Sequence, residues 1–355
     1  MLACRDPEKM GWAQYQCPNH SDHIIKVPHS CKSRFCNTCG KIQTDAWISN
    51  CHQILPNVEY RHLTLTIPQE LRTILWEIRP CLGCLFLAAN QMLRSFFVKE
   101  KKITPAITMV LHTFGRKLNW NPHIHSIVSC GGLTKENEWK DQDFIPYKML
   151  RERWKYFLLN ALKEKLKELL FDPQYEKTLK PFSDEKVLHA FFQDLYEKDW
   201  YTHLSEEKID MDHTVGYIGR YSRRPVISEA KILAYDKNAQ TVTFQYQDHK
   251  EEKPITWTLP VFKFIELLIQ HIPVKYSHVI RHYGLVANRI SATFKTGLNN
   301  LFGAAKRMLK KLLWRQRQNF YHKTDPLICP HCGSEMVFMF RVVYSFGQKK
   351  FFTLF

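Results

Sequence analysis

Six of the eleven cysteines fall within the first 51 residues: Cys4, Cys17, Cys31, Cys36, Cys39 and Cys51. A segment this short has little apolar material for a core of its own. A bound metal ion supplies folding free energy to such a segment. The N-terminus, MLACRDPEKMGWAQ, lacks the apolar run of a secretory signal. The thiols are therefore expected in a reducing compartment, where metal binding is favoured over disulfides. Cys17-x2-His20 and Cys36-x2-Cys39 are two knuckle-like pairs separated by 15 residues. Zinc takes four N/S ligands in a tetrahedron, and ligands paired at this spacing reach one ion from a tight turn. One structural zinc is expected at Cys17, His20, Cys36 and Cys39, with Cys31 as a further ligand. Cys31 or Cys4 in place of His20, or a second ion, fits the same pattern; free thiols in a small core are the alternative. Cys329-x2-Cys332 has no second pair near it in sequence and reads as a structural turn or a partial site.

Charge narrows the partner. Lys and Arg number 51 against 34 Asp and Glu, a net charge of +17. That excess suits a polyanion, nucleic acid before anionic membrane, and weighs against an enzyme of small metabolites. The longest apolar patch, 81–89, is short and interrupted by Gly83. A membrane span needs about 18–20 consecutive apolar residues. No membrane span and a cytoplasmic, nucleoid-associated protein are expected. Lys26, Lys32, Arg34 and Lys41 surround the cysteine pairs, and 304–317 reads as a basic amphipathic helix carrying Lys306, Arg307, Lys310, Lys311, Arg315 and Arg317. Both are candidate DNA contacts, the helix competing with a plain solvated surface helix.

The periodicities predict a mixed fold. Residues 59–68 alternate and stop at Pro68, the pattern of a strand. Residues 70–99 look helical with a break near Pro80 to Gly83, and 148–172 carries strong helical periodicity. Two strand-like runs, 106–114 and 123–129, flank the turn-rich GRKLNWNP and predict a hairpin; three short strands follow in 231–259. With no regular βαβ rhythm, the expected class is α+β with an antiparallel sheet. The expected division is 1–55, a zinc-stapled DNA-contacting module; 56–230, a catalytic domain with a helical insertion near 148–205; and 231–355, a small β segment with a basic helical C-terminal region.

Two constellations carry chemistry. In His123-Ile124-His125, residues i and i+2 project to one sheet face, so both imidazoles reach one ion. A hairpin centred near Leu118 would set His112 opposite position 124 and make it a third ligand. Three histidines suit Mn²⁺ or Zn²⁺ better than Mg²⁺. Tyr217 and Tyr221, in VGYIGRYSRRP, are four apart on the helix expected over 214–224, which places them on one face. Arg220, Arg223 and Arg224 lie around them. A phenol is a poor nucleophile until a cation or guanidinium favours its phenolate, and the same charges bind phosphate. The competing reading is an aromatic pair packed against a core.

Taken in order, SCKSRFCNTCG, HTFGRKLNWNPHIHSIVSCGGL and VGYIGRYSRRPVIS, then VFKFIELLIQHIPVKYSHVIRHYGL and CPHCGSEM, resemble the two-tyrosine HUH rolling-circle transposases of the insertion-sequence-ninety-one family. The resemblance runs over nearly the whole chain. It implies an HUH endonuclease-type antiparallel sheet flanked by helices. It also implies a divalent cation, Mg²⁺ or Mn²⁺, held at His123 and His125, with Tyr217 and Tyr221 cutting single-stranded transposon ends through a 5′-phosphotyrosine. His112 as third ligand draws on the hairpin and on a similar histidine spacing in related relaxases. No nucleotide cofactor is expected, since bond energy is kept in the adduct. Two departures stand out: His20 occupies a place where many members carry cysteine, and members usually begin with a further N-terminal segment, as expected if this copy is shortened. A decayed, non-cutting DNA-binding copy, a plasmid relaxase or replication initiator, and a three-histidine zinc hydrolase remain alternatives.

Overall fold

The computed structural model describes residues 4–33, 36–222, 225–247, 254–289, 296–297, 301, 315–316, 318–319, 323–345 and 348–353. In chain order these form α1 (Pro7–Met10), β1 (Trp12–Gln16), β2 (Ile24–Pro28), α2 (Asn37–Ile54), β3 (Tyr60–Leu65), α3 (Gln69–Glu77) and α4 (Leu82–Arg94). The hairpin β4 (Ala106–Phe114) and β5 (Trp120–Ser129) and the ribbon β6 (Gly131–Leu133) and β7 (Trp139–Asp141) come next. Then follow α5 (Tyr147–Leu169), α6 (Glu176–Leu179), α7 (Glu185–Glu197), β8 (Thr202–Leu204) and α8 (Met211–Ser222). The chain closes with β9 (Ile232–Asp236), β10 (Thr241–Gln247), β11 (Pro254–Pro260), α9 (Val261–Ile269), β12 (Ile280–Gly284), β13 (Val337–Ser345) and β14 (Gln348–Phe352). The fold is α+β with antiparallel sheets, as the mixed periodicities predict.

Two compact units emerge, and they run differently from the expected segments. One comprises residues 50–222 and 226–307; the other joins 1–49 to 308–355, with the short stretch 223–225. The C-terminal region thus divides between the two, because its last strands pair with the first strand of the chain. The basic run with Lys306, Arg307, Lys310 and Lys311 lies outside the described residues, as does Arg34.

The larger unit is built on a five-stranded antiparallel sheet of order β12-β4-β5-β3-β8. Leu63, Leu65, Ile107, Met109, Leu111, Ile124 and Val128 point to one face and make one core with α3, α4 and α5. Alternation sends the positions between them to the other face. There Val110 and Ile127 are buried outside that core, as is Val215 of α8, and α8 packs against β3, β4 and β5. Helix and core therefore occupy opposite faces of the sheet. Pro80 ends the α3 segment as its missing N–H requires; the chain makes a 3-10 turn at Arg79–Cys81, runs through α4 and ends in a π-helical turn at Ser95–Glu100. Contrary to the sequence expectation, Arg79–Glu100 is long and apolar enough to cross a membrane by length and composition. Most of its apolar surface lies in the core: Leu85, Ala88, Ala89, Met92, Leu93 and Phe97 are fully buried. Gly284 seats β12: its φ is +61°, and a Cβ there would fall 1.9 Å from the Pro105 carbonyl oxygen.

The smaller unit holds a four-stranded antiparallel sheet of order β14-β13-β1-β2. Gln16 lies opposite both Ile24 and Val337, so the turn after β1 and the loop before β13 emerge at the same end of the sheet. The apolar cluster at that end is small: Cys17, Leu327, Cys329 and Met336, with Tyr15 and Ile25 against it.

Candidate active site and metal centres

β4 and β5 meet with His112 opposite His123 and Val110 opposite His125, and the register shifts between His112 and Phe114. The expected pairing of His112 with position 124 is off by one residue. The difference is decisive, because directly paired residues share a face and a one-residue slip moves a side chain to the other side. Position 124 faces the apolar core, whereas 123 faces away from it with 125. The observed register brings His112, His123 and His125 together, with ligating nitrogens all within 4.8 Å of one another.

His123 and His125 are arranged as neutral ligands. His123 Nδ1 lies 2.7 Å from the Asn121 carbonyl oxygen, which only accepts, so Nδ1 donates and Nε2 is left bare. That Nε2 stands 3.0 Å from His125 Nε2. On its other side, His125 Nδ1 is 2.8 Å from Nε2 of His62, whose ring stacks on it with centroids 5.0 Å apart. If His125 Nδ1 donates to His62, two unprotonated nitrogens face each other at 3.0 Å and a cation between them removes the repulsion. Burial, reinforced by the neighbouring imidazoles, holds His125 far below the ordinary imidazole range; burial also lowers His123. Burial, then His203 and His123, brings His62 down to about 4. His112 and His125 are buried and His123 half-buried, so the cluster reaches solvent at one edge. The donor set fits a divalent cation, and the outer hydrogen bonds are of the kind that orient metal-binding histidines. His62 escaped the sequence reading: a lone histidine on an alternating strand carries no spacing signal.

A row of rings leads away from this cluster. Phe114 stacks on His112 (5.4 Å) and meets His271 (5.7 Å), which stacks on Trp120 (6.1 Å). Trp120 meets Trp76 edge to face (5.3 Å), and Arg79 lies against both, its guanidinium 4.0 and 4.1 Å from their ring centroids. Trp76, the outer member, is 41% exposed.

The cysteines separate into two groups rather than the expected one. Cys4, Cys31, Cys36 and Cys39 converge, with Cys39 Sγ 3.6 Å from Cys4 Sγ and 3.8 Å from Cys31 Sγ. The Cys31 amide donates to Cys4 Sγ at 3.4 Å and the Cys39 amide to Cys36 Sγ at 3.5 Å. Burial opposes ionisation of Cys36, but the Cys39 amide and the neighbouring thiols bring it down to about 7. Cys17 and His20 are not with them; they converge instead with Cys329 and Cys332. Sequence spacing paired the nearest knuckles, whereas strand pairing decides which knuckles meet. Cys51 is buried apart from both groups, and burial raises its thiol.

Against this geometry, residues 1–67 match the family described as "Transposase zinc-binding domain" and residues 106–293 the family described as "Putative transposase". The chain is 32% identical over 345 residues to the transposase for insertion sequence element IS801 of Pseudomonas savastanoi pv. phaseolicola, covering 95% of this chain and 81% of that protein. It is 25% identical over 272 residues to "Putative transposase y4qJ" of Sinorhizobium fredii (strain NBRC 101917 / NGR234), covering 74% and 67%. No solved structure matches the chain.

The chain belongs to the IS91 family of transposases.

Membership makes it a DNA-cleaving enzyme with structural zinc in its N-terminal module, and the four-cysteine group supplies a complete ligand set for that zinc. Within this transposase, the other anticipated residues fall out as follows. Tyr217, Arg220 and Tyr221 are positions on α8; their side chains lie outside the described residues, as do Arg223 and Arg224 altogether. On the α8 backbone, 217 and 221 continue one row from Thr214, which is buried. Lys32 directly follows Cys31 of the four-cysteine group, in a left-handed backbone conformation with φ 52°. Arg315 is held by Asp325, with Nε 2.8 Å from both carboxylate oxygens, and pairs with Glu335, so it is committed within its own unit.

Proposed function

We propose that this transposase cuts and rejoins single-stranded DNA at transposon ends by tyrosine transesterification, as in rolling-circle transposition. The observation that carries the reading is the three-histidine cluster on the sheet face against which α8, bearing positions 217 and 221, is packed. His112, His123 and His125 would hold a divalent cation, Mg²⁺ or Mn²⁺. When bound, it supplies neutralisation of charge developing on the scissile phosphate.

The chain's own residues do the rest. The Asn121 carbonyl and His62 fix the ring orientations of His123 and His125, so both present Nε2 to the same point. A tyrosine of α8, Tyr217 or Tyr221, gives up its phenolic proton and its oxygen attacks phosphorus. The P–O3′ bond breaks, the 3′-oxygen takes up a proton, and a 5′-phosphotyrosine remains. Rejoining is the reverse: a 3′-hydroxyl attacks the adduct and the phenol leaves. A second tyrosine on the same helix can carry the other end. The row from His112 to Trp76 gives unpaired bases a ring to stack on where it opens to solvent, next to the Arg79 guanidinium.

Full-length protein incubated with Mn²⁺ and a labelled single-stranded end oligonucleotide tests this. A covalent protein–DNA band on a denaturing gel is expected for the wild type. It should be absent from Tyr217→Phe/Tyr221→Phe and from His123→Ala/His125→Ala. A band that survives the paired tyrosine change refutes the tyrosine chemistry, and tight DNA binding with no band in the wild type points to a non-cutting copy.

A further inference from the structure

The matched zinc-binding stretch ends at residue 67, yet half of the second ligand group comes from the other end of the chain. The two halves are alike in sequence: Cys17-Pro-Asn-His20 and Cys329-Pro-His-Cys332 are both Cys-Pro-x-ligand turns. Each opens a tight turn at the end of strand pairing. His23 donates its amide to the His20 carbonyl at 3.0 Å, and the Cys17 amide reaches His23 at 3.1 Å. In the second turn the Gly333 amide donates to the Cys329 carbonyl at 2.9 Å, and the Cys329 amide to Ser334 at 2.9 Å. Gly333, at φ +72°, makes that turn possible.

The spacing of the ligand atoms is that of an ion-centred tetrahedron. Bonds of about 2.3 Å from zinc to sulfur give ligand–ligand edges of about 3.8 Å, slightly less where nitrogen replaces sulfur. Cys17 Sγ lies 3.5 Å from Cys332 Sγ and 3.7 Å from His20 Nδ1, and Cys329 Sγ lies 3.9 Å from His20 Nδ1. These edges agree with those of the four-cysteine group at 3.6 and 3.8 Å. No disulfide joins the cysteines among the described residues. Outer contacts are in place too: the Asn19 amide donates to Cys17 Sγ, and its side chain to Cys332 Sγ and, at 2.8 Å, to Ser334 Oγ.

The backbone is shaped for this closure. Gly11 has φ +80°, and a Cβ there would fall 2.1 Å from the Val342 carbonyl oxygen of β13. Only glycine lets β13 lie this close to the entry of β1. The β1–β13 register then carries both Cys-Pro turns to one end of the sheet.

We infer that Cys17, His20, Cys329 and Cys332 bind a second structural zinc ion, which fastens the two ends of the chain into one module. The zinc module of this transposase is accordingly discontinuous, with its last ligands more than 300 residues from its first.

Two measurements on full-length protein grown with zinc test this without recourse to activity. Cys332 is exposed. In the zinc-loaded wild type it should nonetheless resist iodoacetamide, and a chelator should release Cys17, Cys329 and Cys332 to the reagent together, read by peptide mapping. Modification of Cys332 before chelation overturns the inference, whatever happens at Cys36 and Cys39. Native mass spectrometry of His123→Ala/His125→Ala, which takes the histidine cluster out of the count, should find two zinc ions per chain. One ion or none overturns it.

Discussion

The histidine centre takes its ligands from two neighbouring strands, no more than 13 residues apart, and stands over a large core that α3, α4 and α5 complete. The four-cysteine group takes Cys4, Cys31 and Cys36 from outside helices and strands and Cys39 from the first turn of α2, and the Cys17 group takes its residues from turns at both ends of the chain, around an apolar cluster of only a few side chains. In the first region packing fixes the histidines, and the proposed cation would be a guest. In the second the ions substitute for a missing core. On the proposed reading, similar ligand chemistry would serve reactivity in one place and folding in the other.

Metal removal should separate the two regions most sharply. A strong chelator is expected to abolish hydrogen-exchange protection in β1, β2 and β13 while β3, β4 and β5 stay protected. Zinc-dependent modules draw on binding free energies of about 10–16 kcal/mol, more than so small a core replaces. Parallel loss of protection in both regions would break the contrast. The reverse experiment is His123→Ala/His125→Ala: covalent adduct should vanish while the melting temperature stays within a few degrees of wild type. A collapse in melting temperature would make the histidines structural.

Smaller effects sharpen the picture. His62→Ala removes the partner of His125 Nδ1, and isothermal titration should show Mn²⁺ affinity at the histidine centre reduced about 10–100-fold. Unchanged affinity would reduce the His62 contact to packing. Trp76→Ala should weaken binding of single-stranded oligonucleotides by about 1–3 kcal/mol, with little effect on duplex DNA. The smallest effect is on acid stability. Burial holds His282, bonded to Thr108 Oγ1 at 2.9 Å, below the ordinary imidazole range. The unfolded chain takes up a proton there as pH falls below about 6.5 while the folded chain does not, so stability is lost on the acid side. His282→Asn should flatten urea-unfolding stability in that window; an unaltered pH profile would contradict the assignment.

Local pattern was legible and long-range pairing was not. The strand-like run 106–114 gave β4 at its observed bounds, and Pro80 marked the break ahead of α4. The HxH spacing put two histidines of the cluster on one face because the strand period is a property of the backbone. His112 was grouped with His123 and His125, beside which it lies, through a register one residue wrong; the irregularity between His112 and Phe114, with Leu118 at φ 60°, shifts the pairing in a way no composition reveals. The split of the cysteines depends on β1 meeting β13 across the length of the chain, so nearest-neighbour spacing grouped Cys17 and His20 with Cys36 and Cys39. Counting consecutive apolar residues stopped at Gly83 in the patch 81–89, whereas the hydropathy of the helical run 79–100 reflects its burial in the core.

Mapping the covalent product addresses the central claim most directly. After reaction with Mn²⁺ and a single-stranded end oligonucleotide, the protein is digested with trypsin and nuclease and the nucleotide-bearing peptide sequenced by mass spectrometry. Cleavage after Arg220 separates Tyr217 from Tyr221. A 5′-nucleotide on one of these two tyrosines is predicted. A nucleotide on any other residue, or cut DNA with no attached peptide, would contradict the account.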